Sequence, residues 1–378
     1  MENLHIKNCI AYTASGIKHE LYIKDGIFSH KEDGVEYKEI DANGKLAIPG
    51  FIDTHIHGIG GYGTEDSSKD SICAMSQYLI KEGVTSFFPT IYTDTLDRIQ
   101  SDERAIVEAM GHEKGAEITA IHVEGPFISP EKIGAQNPAG RQDPSKEVME
   151  TILKAGQGKI KAMTMAPEAA NIEIVAKMAI ENGIVPLCGH TNATYEETVK
   201  GADFGIKHAT HLFNAMTELK NRFPGVVGAV LTDDRMTAEM IGDGKHIHPS
   251  SMALVFQKLG SDRVVIITDS LKPTRQESGK LTANGVEVEM GDNLWVTKGN
   301  RDLIQGSCLT MLEGFKNLLK WGISIEDAIK MTATTPARIY SLTDRGSIEE
   351  GKRADLVLLN TNLGVESVYV QGELRYVV

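Results

Sequence analysis

Ile118-Thr119-Ala120-Ile121-His122-Val123-Glu124-Gly125-Pro126 reads as a buried strand that ends on a carboxylate, with Gly and Pro stopping it at once. Near-continuous apolar residues, rather than strict alternation, mark a strand of a parallel sheet covered on both faces. The same texture, an apolar run closing on polar residues and followed by a helix-like stretch, recurs at Leu46–His57, Val84–Ile91, Ile160–Pro167, Val185–His190, Ile206–Phe213, Thr237–Gly242 and Val264–Asp269. Eight such units are the number that closes a barrel. The pattern therefore predicts an α/β protein with a (β/α)₈ TIM-type barrel. Helical phase between the runs agrees: Ile172, Val175 and Ala179 share a face before Asn182-Gly183, as do Leu312, Phe315 and Leu319 before Gly322.

The two ends of the chain have a different texture. Short β-like runs at Leu4–Ile10, Glu20–Ile23 and Tyr37–Ile40 are separated by turn signals at Lys24-Asp25-Gly26 and Ala42-Asn43-Gly44, which reads as an antiparallel sheet. The texture returns at Ala354–Asn360 and Glu366–Val370. The expectation is a small β-sandwich domain built from residues 1–48 and 347–378, flanking a catalytic barrel over 49–346.

The chain has 378 residues, 41% hydrophobic and 24% charged, enough for one large core with a minor appendage. Its formal net charge of −13 argues against nucleic acid or an anionic membrane surface as partner. No apolar run approaches the ~20 residues of a membrane span, and the first residues lack a basic stretch before an apolar core, so cytoplasm is expected. Cys9, Cys73, Cys188 and Cys308 are scattered without a C-x-x-C pair and read as reduced thiols, mostly in the core.

Polar residues at the C-terminal ends of barrel strands face the mouth where barrel active sites lie. His55 and His57 end the first run two residues apart, on one side of the strand. Glu124 ends the third run, His190 the fifth, and His211 lies in the sixth. Taken singly each has a plainer reading: polar strand-end histidines, a glutamate paired with a loop Arg or Lys, hydrogen-bonded core histidines. His122, on the strand face of Glu124, reads as a satisfied core histidine. Recurrence at four strand ends, with Asp269 closing the eighth run, points instead to a shared divalent ion, because imidazole nitrogen plus carboxylate suits zinc, iron or a similar metal.

These motifs in this order resemble the amidohydrolase superfamily: Pro49-Gly50-Phe51-Ile52-Asp53-x-His55-x-His57-Gly58, His122-Val123-Glu124-Gly125-Pro126-Phe127, Gly189-His190-Thr191, Thr210-His211-Leu212-Phe213-Asn214-Ala215-Met216, Asp243-Gly244-x-His246, Thr268-Asp269 and Gly306-Ser307. The glutamate motif with His-Leu-Phe-Asn-Ala-Met narrows the resemblance to the N-acetylglucosamine-6-phosphate deacetylase family, over nearly the full chain. The resemblance implies a barrel with a small β domain from both termini. It implies that Glu124, His190 and His211 hold a principal ion, zinc first, with iron, cobalt or manganese as alternatives. Members with the H-x-H pair can hold a second ion there, so one or two ions per subunit are expected.

Amide hydrolysis needs an activated water, a polarised carbonyl and a proton for the leaving amine. The ion meets the first need, and Asp269 carries the proton. Ser307 lacks a G-x-S-x-G context and reads as a loop residue. For the phosphate of an amino-sugar phosphate, the candidates are Arg222, His246 and the backbone amides of Asn214 and Ala215. The resemblance implies that an arginine at the place of Arg222 often reaches the neighbouring subunit's site, hence a homodimer. Gln136 stands where several members have a histidine that orients the substrate carbonyl, and Lys272, after Asp269, is expected to face solvent. The competing readings are the galactosamine epimer, a cyclic amide or acyl amino acid as substrate, and a non-catalytic barrel.

Overall fold

The structure, a computed structural model, describes residues 2–378. Eight parallel strands surround the barrel axis: β1 (Phe51–Ile56), β2 (Val84–Ile91), β3 (Ile121–Glu124), β4 (Ile160–Met165), β5 (Val185–Cys188), β6 (His208–Ala209), β7 (Thr237–Ile241) and β8 (Val264–Ile267). Each lies inside one of the eight apolar runs. Pairing proceeds in chain order from β1 to β8. The last strand meets the first just beyond the regular ladder, where Asp269 N–H donates to the His55 carbonyl at 2.8 Å and His57 N–H to the Ser270 carbonyl at 2.9 Å.

The strands are apolar on both faces because helices cover the outside. Every residue of β2 is buried. Helix Ile172–Glu181 turns Ile172, Val175, Ala176 and Ala179 inward and is capped at Asn182. Helix Met311–Lys320 starts with a capping box, in which the Thr310 side chain accepts from Glu313 N–H and the Glu313 carboxylate reaches back. Its Phe315 packs on Phe51 of β1, ring centroids 5.3 Å apart. Among the described residues no helix is long and apolar enough to cross a membrane. All four cysteines are free, with Cys9 and Cys188 buried.

Both ends of the chain contribute to one eight-stranded sheet. Strand Leu46–Pro49 pairs antiparallel with Leu356–Leu359 and parallel with Leu4–Thr13, then enters β1 through Gly50. Leu4–Thr13 also pairs parallel with Lys38–Asp41, so the sheet is mixed where the turn signals read as antiparallel. Alternation along Leu356–Leu359 divides two cores: Leu356 and Leu358 join Leu4, Ile6 and Ile23, whereas Val357 and Leu359 join Ile48 and Val84 of the barrel core.

A further four-stranded antiparallel sheet interrupts the βα alternation: Thr282–Ala283, Val286–Gly291, Leu294–Thr297 and Asn300–Ser307. The run of barrel units does not anticipate it. It packs Val288 and Trp295 against Tyr92 and Leu271, and Trp295 donates to Thr274 Oγ1 at 3.0 Å. Its last strand delivers Ile304, Gln305 and Gly306 to the barrel mouth.

Candidate active site

Six side chains converge at the C-terminal ends of five strands. Glu124 is the last residue of β3. His190 follows β5, His211 follows β6, Asp269 follows β8, and β1 supplies His55 and leads to His57. Two glycines permit this approach. A Cβ on Gly189 would lie 2.6 Å from Thr210 Cβ, and one on Gly125 only 1.9 Å from Thr93 Oγ1, which itself donates to the Glu124 carbonyl at 2.6 Å. His190, His211, Phe213, Ala215 and Asp269 all adopt positive φ, between 29° and 81°. Non-glycine residues rarely do so, and such strain gathers where side chains must be aimed.

Glu124 is the hub. Its Oε1 lies 2.9 Å from His211 Nε2, 3.1 Å from His190 Nε2 and 3.4 Å from His55 Nε2, and its Oε2 lies 3.2 Å from His57 Nε2. Asp269 Oδ1 is 3.6 Å from His55 Nε2 and 3.4 Å from His57 Nε2. Three sets of ligand atoms have the spacing of an ion site: Glu124–His190–His211, His55–His57–Asp269 and His55–His122–Glu239. Each ring of the H-x-H pair, and His190 with them, is oriented from behind. Nδ1 of His190 donates to the Lys132 carbonyl and Nδ1 of His57 to the Thr90 carbonyl, both at 3.0 Å, so in neutral rings the Nε2 lone pairs point inward.

Such convergence is unfavourable without positive charge at its centre. Nε2 of His190 and His211 are 3.2 Å apart, and the buried Nε2 of His55 has no hydrogen-bond partner. Burial pushes the Glu124 and Asp269 carboxyls up, yet the neighbouring imidazoles outweigh it and hold both below their ordinary values, Glu124 far below. Burial opposes charge on His55 and His57, while the same carboxylates pull both toward imidazolium. A divalent cation satisfies all of these groups at once, so the donor set fits a metal.

The cluster floors a cavity of about 330 Å³, lined also by Gln136, Asn214, Ala215 and His246. His246 is fixed through Nδ1 on Asp243 at 2.6 Å. Asn214 N–H is already bonded to the His211 carbonyl at 3.0 Å, so it reaches an anion only by giving that bond up. Gln136 is committed as well, its Nε2 donating to Glu124 Oε2 at 2.7 Å and its Oε1 accepting from Thr93 N–H at 2.7 Å. Arg222 is exposed and lines a neighbouring cavity of about 510 Å³, outside the one that holds the cluster.

Three plainer residues also find their places. His122 donates through Nδ1 to the Thr54 carbonyl at 3.1 Å and bonds Thr164 Oγ1 at 3.0 Å through Nε2, a satisfied core histidine. Ser307 is buried at a strand end with its hydroxyl on the Thr268 carbonyl, so it ties the inserted sheet to the end of β8 rather than lying in a loop. Lys272 does not face solvent freely but pairs with Asp66 beside the mouth.

Sequence reading misses three residues here. Tyr92 stacks on His57 with ring centroids 3.7 Å apart. Lys132 lines both cavities. Glu239 of β7 reaches His55 from below, Oε2 to Nδ1 at 3.1 Å. Tyr92 ends an apolar run and Glu239 interrupts one, signals that a strand-by-strand search for polar residues would find.

The fold and the ligand set define a barrel hydrolase with a carboxylate–imidazole centre suited to divalent metal. The chain belongs to the amidohydrolase family, whose model matches residues 46–375. It is 30% identical to the N-acetylglucosamine-6-phosphate deacetylase of Lysinibacillus sphaericus, across 99% of this chain and 98% of that protein. It is 31% identical to the N-acetylgalactosamine-6-phosphate deacetylase of Escherichia coli, across 94% of each. Among solved structures, a mutant of the Mycobacterium smegmatis N-acetyl-D-glucosamine-6-phosphate deacetylase in complex with N-acetyl-D-glucosamine-6-phosphate superposes with a TM-score of 0.90 at 27% identity, covering 99% of this chain and all of that one.

Proposed function

We propose that the chain removes the acetyl group of N-acetylglucosamine 6-phosphate, giving glucosamine 6-phosphate and acetate. The observation that carries this reading is Asp269 Oδ1 standing 3.4 Å from His57 Nε2, beside the Glu124–His190–His211 cluster on the floor of one cavity. Full-length relatedness to deacetylases of amino-sugar phosphates supports the substrate class.

Glu124, His190 and His211 would hold the principal ion, zinc first among the candidates, and His55 with His57 gives capacity for a second. When bound, such an ion supplies Lewis acidity that brings the pKa of a coordinated water from 15.7 toward about 7. Asp269, kept ionised, accepts the proton from the attacking water and returns it to the departing nitrogen. His246 Nε2 and the Ala215 amide are offered to the sugar phosphate. Gln136 exchanges its bond to Glu124 for the substrate carbonyl, donating through its amide without a positive charge. Arg222, which no bond ties to its own cavity, serves the site of a second subunit in a homodimer. The protein works in the cytoplasm.

The galactosamine epimer is the second reading, favoured by the Escherichia coli relative at 31% identity. One assay tests both: acetate release from the two epimeric sugar phosphates, with and without chelator. Chelator-sensitive release with higher kcat/KM on the gluco substrate is expected. Preference for the galacto substrate replaces the first reading with the second, and turnover indifferent to complete metal removal sinks both.

A further inference from the structure

One carboxylate under the site takes no part in the reaction described above. Glu239 is fully buried on β7. Its Oε2 accepts from His55 Nδ1 at 3.1 Å, and its Oε1 accepts from the hydroxyls of Tyr340 at 3.2 Å and Thr54 at 3.3 Å. The carboxylate is thus held in the barrel interior by three donors, from β1 and from the helix ending at Ile339 and its cap Tyr340.

The ligand-spaced trio His55, His122 and Glu239 invites a reading as a separate ion site. The hydrogen bonds oppose it. Both His122 nitrogens are used, on the Thr54 carbonyl and on Thr164 Oγ1, so the ring is satisfied without an ion. Within the trio the hydrogen bond joins Glu239 to His55. What it controls is the direction of that ring.

His55 differs from the other ligands in this respect. His57 and His190 rest on backbone carbonyls, and His211 Nδ1 has no partner, whereas His55 alone rests on a charged group. A carboxylate at Nδ1 keeps a proton there, turns the Nε2 lone pair toward Glu124 Oε1 and Asp269 Oδ1 at 3.4 and 3.6 Å, and raises the basicity of that nitrogen.

We propose that Glu239 is the positioning residue that makes His55 a ligand, so that affinity for a second cation at His55–His57–Asp269 depends on Glu239 while affinity at Glu124–His190–His211 does not. The proposal rests on the two-ion capacity stated under Proposed function. It assigns to a buried residue of β7, outside the lining of the cavity, the choice between one-ion and two-ion forms of the enzyme.

The test uses the full chain, stripped by chelator and titrated with cobalt(II), following the visible absorption of the bound ion, with zinc per subunit counted by elemental analysis after reloading. Wild type is expected to take up two ions. Glu239→Gln keeps shape and removes the charge, and is expected to weaken the second uptake step by 10–100-fold while leaving the first unchanged. Glu239→Asp keeps the charge but withdraws it from His55, with an intermediate effect expected, and it decides the matter if the glutamine variant does not fold. Wild-type affinity for the second ion in whichever variant folds overturns the proposal and leaves the two-ion reading standing. A single ion in wild type overturns both.

Discussion

The hydroxyl of Thr268 donates to Asp53 Oδ2 at 2.6 Å, joining the last barrel strand to the first through side chains. Both residues are buried, and Asp53 receives its other help from the N–H groups of Thr268 and His55 at 3.3 and 3.4 Å. Thr268→Val keeps the shape and leaves a buried carboxylate oxygen without its strongest donor. Urea unfolding should show a loss of about 1–3 kcal/mol. An unchanged midpoint would mean that the seam is held by backbone alone.

Glu103, on helix Leu96–Ala109, is buried with both carboxylate oxygens lacking partners. Burial pushes its pKa up to about 9. The folded state therefore binds this proton more tightly than the unfolded chain, and the stability it contributes is complete below about 4.5 and is lost as pH rises toward 9. Glu103→Gln removes the loss. Its stability relative to wild type should climb between pH 5 and pH 9, at no more than about 1.4 kcal/mol per pH unit. Parallel stability curves for the two proteins would show that Glu103 does not titrate this way.

Asp269→Asn retains size and hydrogen bonding but cannot accept a proton. We expect kcat to fall by about 10²–10⁴ with KM changed far less, since general acid–base help is worth that much. Metal content should be counted in the same preparations. A turnover within tenfold of wild type at equal metal content removes Asp269 from the proton path.

Arg222 stands apart from the cavity that holds the metal cluster. If it serves a partner's site, Arg222→Ala and Asp269→Asn preparations, each weak alone, should regain activity when mixed, unfolded and refolded together. In such a hybrid one site joins an intact Asp269 to an intact Arg222. Activity no greater than the sum of the separate preparations places Arg222 outside any shared site.

The eight strands were legible because burial on both faces makes each run predominantly apolar, so the histidines and carboxylates gathered at the strand ends, His55, Glu124, His190, His211 and Asp269, stood out. The inserted sheet was less legible, although Asn284-Gly285 and Asp292-Asn293 are hairpin signals, with φ of 47°, 75°, 50° and 64°. Its strands are short and half-exposed, and they interrupt a repeat whose rhythm dominates the surrounding chain. Glu239 escaped notice for the opposite reason. A single carboxylate inside an apolar strand has meaning only once Thr54, His55 and Tyr340, far away in sequence, are seen around it. The commitments of Gln136 and Asn214 were illegible in principle, because hydrogen-bond partners across loops leave no periodic trace.

The strand Leu46–Pro49 runs through Gly50 into the strand bearing His55, and it takes Leu356–Leu359 as a neighbour. During synthesis the ribosome releases that second strand only after about 300 further residues, at ordinary elongation rates of 5–20 residues per second a wait of roughly 15–60 s. Until then the segment leading into His55 offers an unpaired edge. A nascent chain stalled before residue 356 would thus be open to pairing with other chains, and the strand leading into His55 would gain its last neighbour only after all six site residues had already been made.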